Sequence, residues 1–126
     1  MALMSAAAAQ SGPLALRGGA VIFAGKHFED SRGVSDETYD ASILNGQAFS
    51  LVQENIVRTH QAGTLRGLHY QRPPFAQDKV VSVIKGRAQF FWAELGGNGD
   101  ANVVDSVILE AGACALYTPG SCAHGF

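Results

Sequence analysis

Between residues 48 and 118, short apolar runs alternate with turn signals, and this rhythm constrains the fold more than any other feature. Ala48–Thr59 reads as a strand, Gln61-Ala-Gly63 as a turn and Thr64–Gln71 as a second strand. Arg72-Pro-Pro-Phe-Ala76 reads as a loop, because two prolines cannot sit in a central ladder. Lys79–Lys85 is a Val/Ile strand, Gly86 a tight turn and Arg87–Leu95 an aromatic strand. After the Gly-rich connection 96–100, Val103–Leu109 and Cys114–Thr118 form two more strands on either side of Glu110-Ala-Gly112. Many short strands at even spacing predict an all-β sandwich or barrel. No helical pattern exceeds one or two turns.

Upstream the signals are weaker. Residues 1–19 read as a loose tail, in which Ala6–Ala9 can extend a short helix. Val21-Ile-Phe23 is the first strand, Phe28–Gly33 a charged turn and Asn45-Gly46 a strong turn signal. Residues 20–126 then make one domain, since 126 residues suffice for one core and not for two. The chain stops at Pro119–Phe126 just as another strand should begin. A closed β architecture does not easily lose a strand, because its neighbours become open edges, so the fold is expected to be incomplete at its C-terminal end.

A formal net charge of −2 excludes a general nucleic-acid binder, which carries a basic excess. Two cysteines are too few for a disulfide framework and supply no zinc-type pair, so buried thiols in a reducing cytoplasm are expected. Met1–Gly12 has no Lys or Arg before its apolar residues, which makes a poor secretory signal, and no apolar run is long enough to span a bilayer. A soluble, cytoplasmic protein without membrane contact is expected.

Against this background, Arg66, His69 and Lys79 stand out, because strand cores do not bury charge cheaply. Taken singly, Arg66 is an ordinary solvated strand residue, His69 a core histidine bonded to a carbonyl, and Lys79 an exposed cation at a strand start. Taken together within one hairpin, they equip a pocket for an anionic or enolisable ligand. Arg66 and His69 fall on opposite faces of a regular strand. To serve one pocket the strand must break its alternation, and Gly67 tolerates a bulge. In Ala48–Arg58 neither face is cleanly polar, so both are expected to be at least partly covered. Gln53 and Asn55 share a face, either as a satisfied buried amide pair or as recognition groups in an apolar pocket.

Gly63-x5-His69-x-Gln71 and Pro119-x4-His124 resemble the two motifs of the cupin barrels. Metal-binding cupins usually place a second histidine where Gln71 stands. Two imidazoles are thin ligation for zinc or iron, so no metal is expected.

Arg66-Gly-Leu-His-Tyr-Gln71, Ala76-Gln-Asp-Lys79 and Ala123-His-Gly-Phe126, in that order, resemble the dTDP-4-dehydrorhamnose 3,5-epimerase family. Asp30-Ser-Arg-Gly33 with Glu37, and Gln53-Glu-Asn55, are weaker matches in the right order. The resemblance implies a jelly-roll cupin that works as a homodimer. It implies epimerisation at C3 and C5 of a dTDP-linked 4-keto-6-deoxyhexose, on the route to dTDP-L-rhamnose, with no metal or organic cofactor. By the same resemblance His69 is the general base and Lys79 and Arg66 stabilise the enolate. Gln53, Glu54 and Asn55 contact the nucleotide, His124 lines the sugar pocket, and Arg32 and Glu37 reach the nucleotide in the neighbouring subunit. Imidazole titrates near ~6.5, which suits proton transfer at neutral pH.

The chain departs from the family at Glu54, Val57, Thr59 and Ser35. Family members continue past Ala-His-Gly-Phe, and that continuation carries a proton-returning Tyr and an Asp that orients the base. Tyr39, Tyr70 and Tyr117 occupy other positions and read as packing residues. Little epimerase activity is therefore expected of these 126 residues alone. A single-carbon epimerase and a non-catalytic sugar-nucleotide-binding or dimerisation cupin are the competing readings.

Overall fold

The computed structural model describes residues 3–5, 12–42, 44, 49–101, 103–112 and 114–126. Ten strands appear among them: β1 (Leu3–Ser5), β2 (Leu14–Ala15), β3 (Val21–Phe23), β4 (His27–Asp30), β5 (Gly33–Asp36), β6 (Lys79–Ser82), β7 (Arg87–Glu94), β8 (Asp105–Glu110), β9 (Ala115–Thr118) and β10 (Cys122–Gly125). One sheet has the order β1-β8-β7-β10 and the other β2-β3-β9-β6, while β4 and β5 form a separate hairpin. β1 runs parallel to β8, and the other ladders are antiparallel.

Side-chain alternation explains how the sheets pack. Phe90 and Trp92 of β7, Val107 and Leu109 of β8, and Cys122 of β10 meet Ile22 of β3 and Leu116 of β9 in one buried cluster between the sheets. Trp92 is only 2% exposed, and its indole N–H donates to the Arg17 carbonyl at 3.0 Å, so its polar atom is not left unpaired. The other face of β3 and β9 carries Val21, Phe23, Ala115 and Tyr117, which pack against Leu44, Tyr39 and Phe49. Strands covered on both faces read as continuous apolar runs, as Val21-Ile-Phe23 and Ala115-Leu-Tyr117 do. The result is the expected all-β sandwich.

Several local expectations are corrected. Residues 49–59 form no strand among the described residues, and Ala48 lies outside them. Their pattern suits a strand, but a strand also needs a partner backbone. The expected cover of both faces is missing too, since residues 50–58 are exposed and Val52 is 91% exposed. Thr64–Gln71 is not a full strand and is joined to a sheet by backbone hydrogen bonds at Arg66 and His69. The charged turn expected over Phe28–Gly33 is mostly ladder, with only Ser31 and Arg32 turning between β4 and β5. Lys79–Lys85 shortens to end at Ser82, while the strand expected from Val103 starts at Asp105. Within the expected loose tail, β2 pairs with β3, and a short 3-10 turn spans Arg17–Gly19. Ala6–Ala9 and Asn45-Gly46 lie outside the described residues. Among the described residues, no helix is long and apolar enough to cross a membrane.

Candidate functional site

β10 is an edge strand of the first sheet, and the 66–69 segment docks along its open side. The Arg66 N–H donates to the Phe126 carbonyl at 2.7 Å, and the Phe126 N–H returns to Arg66 at 3.0 Å. The His69 N–H donates to the His124 carbonyl at 2.8 Å, and the His124 N–H returns at 2.9 Å. Gly67 and Leu68 therefore together span the length that Gly125 covers on β10, which is a bulge. Gly67 has φ +115°, and a Cβ there would lie 2.8 Å from both the His124 carbonyl oxygen and the Gly125 Cα. Only glycine allows this approach.

Alternation along β10 turns His124 to the same side as Cys122 and Phe126. Cys122 belongs to the core between the sheets, and the Phe126 ring lies 5.4 Å from that of Phe90. On β6, Val81 packs against the same core, so Lys79, two residues earlier, faces the same interior. The two sheets thus bring His124 and Lys79 to one end of the sandwich, with His69 beside them. A cavity of about 240 Å³ opens there, lined by His69, Gln71, Gln77, Lys79, Gly120 and His124, with Tyr70 and Cys122 completing the wall.

The His69 and His124 ring centroids are 6.5 Å apart at an interplanar angle of 60°. Burial pushes the His124 pKa below the ordinary imidazole value, and the Lys79 ammonium and the His69 ring push the same way. A backbone hydrogen bond involving Cys122 opposes them. His124 is therefore a neutral imidazole at pH 7, able to accept or donate one hydrogen bond. Burial raises the Cys122 thiol pKa, which suits a packed rather than a reactive cysteine. The cavity joins an imidazole, an ammonium and neutral amides, a set matched to proton transfer beside a developing negative charge. Two imidazoles next to an ammonium are a poor donor set for a divalent metal, and among the described residues no three His, Cys, Asp or Glu side chains converge.

Of the residues singled out from sequence, His69, Lys79 and His124 meet in the cavity. Arg66 is anchored to Phe126 by its backbone, but its side chain is exposed and outside the lining. Gln53, Glu54 and Asn55 are exposed and also outside it, and the Gln53 amide donates to Asn55 Oδ1 at 3.3 Å. Arg32, at the β4–β5 turn, is held by the Asp30 carboxylate. Glu37 accepts from the Lys26 N–H at 3.2 Å and sits 3.8 Å from the Lys26 ammonium.

Gln77 and Gly120 were not singled out, though Gln77 stands in the Ala76–Lys79 motif and Gly120 follows the motif proline. Gln71 closes the Arg66–Gln71 motif, at the position where metal-binding cupins place a second histidine. Tyr70 lines the cavity rather than packing in the core, whereas Tyr39 and Tyr117 do pack, each edge-on to Phe49 at 5.7 and 6.0 Å.

The family described as dTDP-4-dehydrorhamnose 3,5-epimerase matches residues 14–126. A relative of that name from Sinorhizobium fredii is 34% identical over 106 residues, covering 80% of this chain and 54% of the relative. One from Methanothermobacter thermautotrophicus is 32% identical over 112 residues, covering 86% of this chain and 60% of the relative. The chain therefore spans a little over half the length of these relatives. The crystal structure of the Bacillus anthracis epimerase with TDP and PPi bound superposes with a TM-score of 0.77 at 33% identity, covering 85% of this chain and 63% of that one. The dTDP-6-deoxy-D-glucose-3,5-epimerase of Legionella pneumophila, in complex with dTDP-4-keto-L-rhamnose, gives 0.76 at 30% identity, covering 91% and 63%.

Proposed function

The chain belongs to the dTDP-4-dehydrorhamnose 3,5-epimerase family and has its jelly-roll cupin fold, and from that premise we propose that the cavity deprotonates a dTDP-linked 4-keto-6-deoxyhexose at the carbons flanking its ketone. One observation carries the reading: His69, Lys79 and His124, from three separate segments, line one cavity.

His69 takes the proton from C3 or C5. The C–H electron pair becomes a carbon–carbon double bond, and the negative charge moves to the C4 oxygen. Lys79 is the cation that meets that charge. His124, held neutral, bonds a sugar hydroxyl. Return of a proton from solvent to the opposite face of the same carbon inverts it, and His69 releases the proton it took to solvent. The reading includes no cofactor.

The cavity, at about 240 Å³, is smaller than the roughly 300–1,000 Å³ typical of ligand sites, so it suits the sugar rather than the whole sugar nucleotide. The dTDP half then runs outward to Gln53, Glu54 and Asn55, with Arg66 beside the path. Arg32 and Glu37 serve the site of a second copy in a homodimer, where the Arg32 fork suits phosphate. A cytoplasmic location fits the buried thiols of Cys114 and Cys122.

The test is incorporation of solvent deuterium into dTDP-4-keto-6-deoxyglucose. Label at both C3 and C5 that disappears in His69→Ala supports the epimerase. Label at one carbon only indicates a single-carbon epimerase, and dTDP binding without exchange indicates a binding module. Exchange that survives His69→Ala removes His69 as base.

A further inference from the structure

Asp78 lies just behind the cavity wall and ties two segments of it together. It is offset by one residue from Lys79, so it points to the opposite face of that sheet, the side of Val80 and Tyr117. There its carboxylate accepts from the Tyr117 hydroxyl at 3.0 Å and from the Gly120 N–H at 2.7 Å. Tyr117 is 2% exposed. Its phenol pKa is pushed up to about 12 by burial first and by Asp78 second, so it stays a donor at every working pH. Gly120 lines the cavity, and a Cβ on it would lie 3.1 Å from both the Ala76 Cβ and the Gln77 N. The 119–121 turn is thus pressed against the 76–77 segment, closed by a Cys122 N–H to Pro119 carbonyl bond at 3.0 Å, and leads directly into β10 and His124.

We propose that Asp78 is a positioning residue: by gripping Tyr117 and the Gly120 amide it locks the strand bearing Lys79 to the turn that delivers His124, and so fixes these two groups relative to each other across the cavity. The role differs from that of the side chains inside the cavity, because Asp78 is not among the residues that line it. Removing the carboxylate leaves a buried hydroxyl and a turn amide without their acceptor, so that only the Lys79–Thr118 ladder pair, one residue before the turn, still ties β6 to it.

The inference rests on the cavity reading above for its functional meaning, but its test needs no substrate. Asp78→Asn and Asp78→Ala lose the same charge, and only Asn keeps an oxygen for the Gly120 N–H. NMR titration of the His124 imidazole in the intact chain separates charge from position. We expect Asp78→Asn to hold the His124 midpoint close to that of the unmodified protein. Asp78→Ala should raise it by about 0.5 unit or more above Asp78→Asn, because both burial and the nearby Lys79 charge relax together. Equal midpoints in the two variants overturn the proposal. If Asp78→Ala does not fold, the double variant Asp78→Ala/Tyr117→Phe removes the unpaired hydroxyl while still cutting the Gly120 tie. It should show the same rise, and a midpoint matching Asp78→Asn overturns the proposal. Should the chain show no deuterium exchange at all, the functional reading fails while these midpoints still decide the role of Asp78.

Discussion

His69 and His124 exchange both of their backbone hydrogen bonds, at 2.8 and 2.9 Å, while their rings stand 6.5 Å apart. Two residues far apart in sequence are thereby fixed as a pair by main-chain geometry, before any side-chain contact is considered. The pairing depends on the bulge at Gly67, which lets Arg66 and His69 both meet β10.

Gly67→Ala is expected to break this pair. It places a Cβ at φ +115° and 2.8 Å from the His124 oxygen, at a cost of about 1–3 kcal/mol in strain alone. Denaturant titration should show the loss, and the His69 and His124 amides should lose hydrogen-exchange protection. A variant with unchanged stability and both amides still protected would show that the docking does not require glycine.

His124 sets an acid limit. Its folded pKa lies below the ordinary imidazole value, so between that value and ~6.5 the unfolded chain binds more protons than the folded one, and stability falls as pH falls through this window. Lys79→Met removes one of the causes and should raise the His124 midpoint in an NMR titration. No movement in that midpoint would show that the ammonium is not close enough to act.

His27 has the opposite sign. Its Nδ1 lies 2.6 Å from Asp36 Oδ1, a hydrogen bond that raises its pKa, and Glu29 adds in the same direction. The support it gives the β4–β5 hairpin is full below the unfolded value of ~6.5 and fades as pH rises through the higher folded value. Asp36→Asn should lower the His27 midpoint and flatten the pH dependence of the hairpin amides. A midpoint that stays raised would place the cause elsewhere.

Trp92 tests the sandwich core. Trp92→Ala should destabilise by about 3–5 kcal/mol. Trp92→Phe keeps much of the packing but leaves the Arg17 carbonyl without its indole donor, at a cost of about 1–3 kcal/mol. Chemical denaturation of the two variants should rank them in that order, and a reversed order would remove the interior role of this side chain.

The sequence was most legible where strands are covered on both faces or have neighbours close in the chain. Val21–Phe23, Arg87–Glu94 and Ala115–Thr118 follow the expected runs within a residue, because their apolar content and bounding glycines or prolines act locally. Residues 49–59 carry the same β-branched signal, but no ladder forms along them among the described residues. Pairing depends on a distant backbone, which propensity does not report. His69 and Lys79 could be found because charge and imidazole on strands are unusual, and His124 because it stands in the Pro119-x4-His124 motif. Gln77, Gly120 and Asp78 could not, since an amide, a glycine and a carboxylate near a proline loop look ordinary until the 76–79 and 117–124 segments are seen side by side.

The placement of β9 has a further consequence. It lies between β3 and β6 and is buried along its whole length, so its amides open only with the sheet itself and should exchange with solvent among the slowest in the chain. The cavity turn 119–121 grows straight out of this strand. A pocket wall rooted in the slowest-opening element stays shaped between ligands, so a ligand entering it should associate without a detectable slow conformational phase.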